Sequence, residues 1–217
     1  MVNADALPYN RSMYRPPAFR EDRPEVLRAA IHAHPLATLV TASCNGIVAN
    51  VVPFSLEVTA QGDVLRAHLA RANEQVADLR AGAPALVVFQ GPQAYVSPSW
   101  YPSKRVHGKV VPTWNYVIVQ ARGRARTVDD PAWLLEQTAT LTAAAEKDQA
   151  DPWTVADAPA DFIRAQLKGI VGVEIAVDRL EGKWKVSQNR SREDRVGVAD
   201  GLRAADQHDV AGLIPLD

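Results

Sequence analysis

The sequence predicts a mainly β protein, a closed or partly open antiparallel barrel with helices at its edges, and three observations predict it. Short β-rich runs follow one another from Leu36 onward, turn signals such as Asn45-Gly46 and Gln61-Gly62 separate them, and helical spacing of apolar residues is confined to a few segments. Closing such a set of strands removes their exposed edges, which is why a barrel is the expected solution.

Taken in order, Asp22 and Pro24 before Val26, Leu27, Ala30 and Ile31 predict a capped helix that ends near His34-Pro35. Residues 36–42, 47–58 and 64–70 then read as an antiparallel meander. Asn73 is a plausible N-cap for a short helix that stops at Gly82, and residues 85–90 are again strand-like. Gly91-Pro92 is expected to turn the chain toward residues 94–97. Residues 98–112 carry Pro98, Pro102, Gly108 and Pro112 among several aromatics, the composition of a functional loop. Residues 113–128 form a long strand, and Asp130-Pro131 opens a helix with Leu134, Leu135, Thr138 and Leu141. Pro152 and Pro159 flank a loop and a second short helix reaching Lys168. Residues 170–180, a turn at Glu181-Gly182 and residues 183–187 make a closing hairpin. In the tail from Arg192, Gly197 and Gly201 weaken a helical reading. Seven or eight strands result, in one domain over 1–217 with a helical insertion at about 130–168 and a C-terminal tail at about 191–217.

Composition narrows the function classes. Of 217 residues, 47% are hydrophobic and 23% charged, and no apolar run reaches transmembrane length, so membrane spanning and wholesale disorder are not expected. No secretory signal is legible, and Cys44 is the only cysteine, which leaves no internal disulfide and suits the cytoplasm. The net charge of −1 gives no global attraction for nucleic acid. His32 and His34 lack a carboxylate to complete a metal site, so no metal is expected. Neither G-x-S-x-G, G-x-G-x-x-G nor a P-loop pattern occurs, which removes the common hydrolase, Rossmann and nucleotide triphosphatase readings.

Three clusters could carry chemistry. Residues 68–73 (HLARAN) place Arg71 at a strand end before a helix start, where backbone N–H groups and a guanidinium favour a phosphate, although a solvated arginine would look the same. Tyr95, Trp100, Tyr101, Trp114 and Tyr116 lie among hydroxyls, an amide and lysines; the mixture suits a flat, partly polar heterocycle and equally an aromatic subunit interface. Residues 183–190 (KWKVSQNR) end the last strand, and alternation sends Lys183, Lys185 and Ser187 to one face. Lysines on a barrel face can also be simply solvated.

Several of these segments resemble a known family. Residues 13–16 (MYRP), 35–40 (PLATLV), 68–73, 90–102 (QGPQAYVSPSWYP), 111–116 (VPTWNY) and 182–190 (GKWKVSQNR) are similar to the PaiB-type family, described as FMN-binding negative transcriptional regulators, with the similarity running from about residue 13 to 203. The resemblance implies a split β-barrel related to pyridoxamine-phosphate oxidases and flavin reductases, with FMN held at a homodimer interface. It implies that Arg71 with Asn73 holds the phosphate, that backbone of Val51, Val52 and Pro53 faces the isoalloxazine edge with His68 and Leu69 nearby, and that Trp114 and Lys185 reach across the dimer. Asn50 and Gln75 depart from the family pattern, and neither is expected to touch the phosphate anchor.

Function then divides three ways: a flavin-responsive regulator, an FMN-dependent reductase or oxidase whose Lys185 would stabilise reduced flavin near N1, or a dimeric module without cofactor. The regulator reading meets a physical difficulty, since no helix-turn-helix and no basic helix are legible, and direct DNA contact is not expected.

Overall fold

The computed structural model describes residues 12–44 and 46–217. Eight strands and seven α-helices occur among them: β1 (Arg20–Glu21), α1 (Pro24–Ala33), β2 (Leu36–Ser43), β3 (Gly46–Pro53), β4 (Ser55–Thr59), β5 (Gly62–Ala70), α2 (Gln75–Arg80), β6 (Pro84–Val96), α3 (Ser103–His107), β7 (Thr113–Val128), α4 (Pro131–Glu146), α5 (Ala160–Leu167), β8 (Ile170–Lys185), α6 (Arg192–Ala204) and α7 (His208–Gly212). The strands run β3-β2-β6-β7-β8-β5-β4 in hydrogen-bonding order, with β1 on β8, and every pairing whose register is resolved is antiparallel. This is the mainly antiparallel, split-barrel architecture that the sequence predicts, with helices at its periphery.

The chain forms two compact units. One comprises residues 23–91 and 118–180; the other comprises 1–22, 92–117 and 181–217. In the first, Leu39, Phe54, Leu65, Val87, Phe89 and Ile175 build a core that excludes water almost completely. Phe54 divides what reads in sequence as a single strand over 47–58. Its amide donates to the Pro35 carbonyl at 2.9 Å and its ring meets Phe89 edge-on at 6.0 Å, so the chain leaves β2 after Pro53 and pairs with β5 as β4. Packing, rather than a turn signal, makes this break. The helical insertion starts where Asp130 caps α4 by accepting from the Ala132 amide. Gly172 lets α4 lie close, because a Cβ there would sit 2.3 Å from the Trp133 ring.

In the second unit, Val96, Tyr101, Val198, Leu202, Val210 and Ile214 share a core. Here the tail is helical despite Gly197 and Gly201. A Cβ at Gly197 would meet the Trp100 carbonyl oxygen at 2.2 Å and one at Gly201 the Trp100 ring at 2.3 Å, so the glycines are what allow α6 to dock on the loop after β6. The low helix propensity is outweighed by that packing.

Two expected turns are absent. Gly91-Pro92 lies inside the continuous β6, and Glu181-Gly182 lies inside β8, so the closing hairpin of the sequence reading does not exist. At the second place β1 pairs Arg20 with Lys183 and Glu21 with Gly182, and the buried Glu181 carboxylate accepts from the Met13 amide and pairs with Arg15 at 3.0 Å. These partners hold the backbone extended through Gly182. Helix starts shift too: Arg23 is the cap position of α1, while Asp22 is paired to Arg15 and Arg20. Glu74 is the cap position of α2. The Asn45-Gly46 turn lies partly outside the described residues.

Candidate functional site

In the unit that contains β2–β5, the predicted phosphate segment is built by the end of β5. Arg71 is 42% exposed at its side chain, yet all of its fork is engaged. Nη1 pairs with Asp129 at 2.6 Å, Nε donates to the Lys168 carbonyl at 3.0 Å and Nη2 to the Ile170 carbonyl at 2.8 Å. The hydrogen bond from Arg71, supported by Arg80, holds the Asp129 carboxyl below its usual range.

Asn73 is also occupied. Its Oδ1 accepts from the Gln75 amide at 2.9 Å and lies 3.5 Å from Asn50 Nδ2, which donates to Gln75 Oε1 at 3.0 Å. Gln75 is completely buried, and its Nε2 reaches the Leu39 and Val48 carbonyls and the Thr41 hydroxyl. Asn50 and Gln75, expected to stay clear of the anchor, thus bind Asn73 directly. The reason is geometric: β3 and the start of α2 converge on one amide, a convergence that spacing along the chain does not reveal. The network pins α2 to β2 and β3 through fully satisfied polar groups.

Val51, Val52 and Pro53 end β3, the outermost strand in the hydrogen-bonding order. Period-two alternation buries Val52 and leaves Val51 65% exposed beside exposed Pro53, Ile47 and Leu36. Pro53 stands opposite Leu36, and Val51 opposite Thr38, so one outward face of this strand pair is largely apolar. Leu69 points into the core, and His68 Nδ1 lies 2.7 Å from Gln137 Oε1 of α4. Of the residues named here, Val51 and Pro53 offer side chains to a ligand, while Val52 and Leu69 offer only backbone.

The other unit brings together Trp114 and Lys185, which the sequence places in separate clusters. Lys185 Nζ donates to the Thr113 hydroxyl and the Trp114 carbonyl. Burial, and then the charges of Lys183 and Arg190, lower the Lys185 pKa. The Trp114 ring meets Tyr95 edge-on at 5.9 Å, both rings remaining partly exposed. Three further participants join them: Lys183 and Tyr116, which the sequence places in separate clusters, and Tyr14, which it gives no chemical role. Lys183 is 8% exposed, with its ammonium 5.3 Å from the Tyr14 ring centre and 5.4 Å from that of Tyr116; Lys185 lies 5.9 Å from the same Tyr116 ring. Alternation with Lys185 is the one signal that points to Lys183. Below them Asn115 Nδ2 donates to Ser187 Oγ at 3.0 Å in a buried pair, and Ser187 takes a φ of 66°, a left-handed conformation uncommon for a residue other than glycine.

The strand order and peripheral helices are those of a split barrel. The chain belongs to the family described as "Putative FMN-binding domain", which it matches over residues 13–179. It is 33% identical over 226 residues to an uncharacterized protein of Emericella nidulans, covering 88% of this chain and 90% of that one. It is 30% identical over 191 residues to the protease synthase and sporulation protein PAI 2 of Bacillus subtilis, covering 88% and 89%. Among solved structures, the FAD and heme binding protein of Mycobacterium smegmatis shares the fold with a TM-score of 0.58 at 19% identity, covering 76% of this chain and 73% of that one. Among the described residues no group of His, Cys, Asp or Glu is placed to hold a metal, and no helix is long and apolar enough to cross a membrane.

Proposed function

We propose that this chain binds FMN as a homodimer in the cytoplasm and works over residues 1–217 as one functional domain, a flavin-dependent sensor in negative transcriptional regulation. The observation that carries the binding reading is the exposed apolar strand face at Val51 and Pro53, a surface that a flat ring or a second copy of the chain covers favourably. The residues present fit the cofactor's chemistry: an arginine fork aimed by backbone carbonyls for a phosphate, apolar strand surface and backbone for a ring, and aromatic side chains beside a lysine for its polar edge. In this reading Arg71 exchanges Asp129 for the phosphate, Asn73 shapes the backbone next to it, and Trp114 and Lys185 are supplied by the partner subunit. Bound FMN supplies electron and hydride transfer.

Regulation is supported by the PaiB-type motifs; the Bacillus relative is named for protease synthesis and sporulation. A net charge of −1 favours action through a protein partner or metabolite rather than direct DNA contact. A second reading, an FMN-dependent oxidoreductase, is favoured by Lys185, whose proton is loosened by burial and neighbouring charge where it could stabilise reduced flavin.

Visible absorbance of freshly purified protein, FMN titration and sedimentation test the proposal. Bound yellow cofactor in a two-chain species is expected; a colourless protein that FMN does not stabilise against heat refutes it and leaves a cofactor-free module. Arg71→Ala is expected to weaken FMN by about 1.5–3 kcal/mol and to leave riboflavin affinity unchanged. Rapid bleaching of the bound flavin by NAD(P)H would select the enzymatic reading over the sensor.

A further inference from the structure

The cluster at the end of β8 gathers Lys183, Lys185 and Arg190; among the described residues neither lysine has an ion pair within 4.0 Å, while the Asp194 carboxylate acts with Arg190 on Tyr101. Lys183 is almost buried, and among the described residues its ammonium has two tyrosine rings but neither a hydrogen-bond acceptor nor a carboxylate. Glu181, two residues earlier on the same strand face, is held by Arg15 and the Met13 amide. Residues 79–128, which supply Thr113, Trp114 and Tyr116, contain no Asp or Glu at all. Lys185 shares the Tyr116 ring with Lys183 and is bonded only to neutral oxygens, while Arg190 lies over the Tyr101 ring at 4.8 Å.

Ring contacts offset only part of the cost of burying a cation, and a second lysine at the same ring adds repulsion. With no counter-charge paired to them among the described residues, the two lysines favour an external anion. The Lys183 side chain is not fully enclosed, keeping 8% of its surface exposed. Tyr14, 81% exposed, stands beside it.

We propose that Lys183 and Lys185, with Arg190 beside them, form an oxyanion site that takes a phosphoryl group, a site made of different residues from the Arg71 anchor. The two ammoniums supply charge, and the Tyr14 and Tyr116 rings keep Lys183 in place when the site is empty. The phosphoryl group belongs either to a separate phosphorylated small molecule or to the flavin, in which case these lysines and not Arg71 anchor the single phosphate of FMN, and the proposal stands whether or not the chain binds flavin.

Calorimetric titration of the full chain with pyrophosphate at low ionic strength tests it. Saturable binding is expected, weakened at least tenfold by Lys185→Gln and by Lys183→Gln, and unchanged by Lys104→Gln on an exposed helix of the same unit. Lys185→Arg, which keeps the charge, is expected to restore most of the affinity, and thermal melts establish that each variant folds. Should Lys183→Gln not fold, the half-buried Lys185 pair of variants still decides. Repeating the titration with saturating FMN or riboflavin separates the sources: blockage by FMN alone assigns the site to the cofactor phosphate, and undiminished binding assigns it to another molecule. No saturable binding by the wild type, or equal affinity in Lys185→Gln, overturns the proposal.

Discussion

Two cationic regions of this molecule solve the same electrostatic problem in opposite ways. At the end of β5, Arg71 is matched by Asp129 and two carbonyls, and Asn73 by Gln75 and Asn50. At the end of β8, Lys183 and Lys185 face aromatic rings, neutral oxygens and each other. The first region is internally complete and must release a carboxylate to accept an anion; the second has charge left over. Self-satisfaction stabilises a fold, whereas unspent charge is the mark of a site awaiting a ligand.

The comparison can be broken most sharply at Gln75. Replacing it by Ala strands the Leu39 and Val48 carbonyls, the Thr41 hydroxyl and Asn50, and is expected to cost roughly 3 kcal/mol in urea unfolding. A loss below about 1 kcal/mol would mean that this network is not the completed one described above.

Lys183→Met is expected to have a smaller effect and the opposite sign. An apolar chain of similar length removes the buried charge, so a gain of about 1 kcal/mol is expected in phosphate-free buffer. Destabilisation of that size would show that the lysine is satisfied by its rings alone. Arg71→Ala comes next, costing under about 1 kcal/mol of stability because the Asp129 pair is exposed, even though its expected effect on FMN is larger. A stability loss above the FMN effect would make Arg71 a structural residue first.

The smallest expected effect is a pH dependence. Burial, followed by Lys183 and Arg190, lowers the Lys185 pKa from 10.5, so over the window just below 10.5 the unfolded chain binds this proton more tightly than the folded one. Stability from this group therefore rises with pH through that window, and Lys185→Gln is expected to flatten the rise in melts taken just below pH 10.5.

Much of the fold was legible because local chemistry and tertiary context agree. The strand over Thr113–Val128 has the bounds the sequence predicts, and Asp130-Pro131 opens α4 as its capping chemistry requires. Legibility failed wherever a distant partner overrode a local signal. Gly182 reads as a turn residue but is held extended by Arg20 and Glu21 on β1, and Gly201 reads as a helix weakener but makes room for Trp100. The site divided in the same manner. Trp114 and Lys185 do meet, whereas Lys183, Tyr14 and Tyr116 became a cluster only when residues about 70 and 170 positions apart were brought to one place.

By itself the sequence determined the architecture, the segments worth watching and the cofactor class, since strand period, turn residues and motif strings are properties of neighbouring positions. Only the tertiary structure decided which charges are spent. Whether a cation is neutralised depends on what lies within a few ångströms of it, and for Arg71 and Lys183 alike those neighbours come from remote parts of the chain.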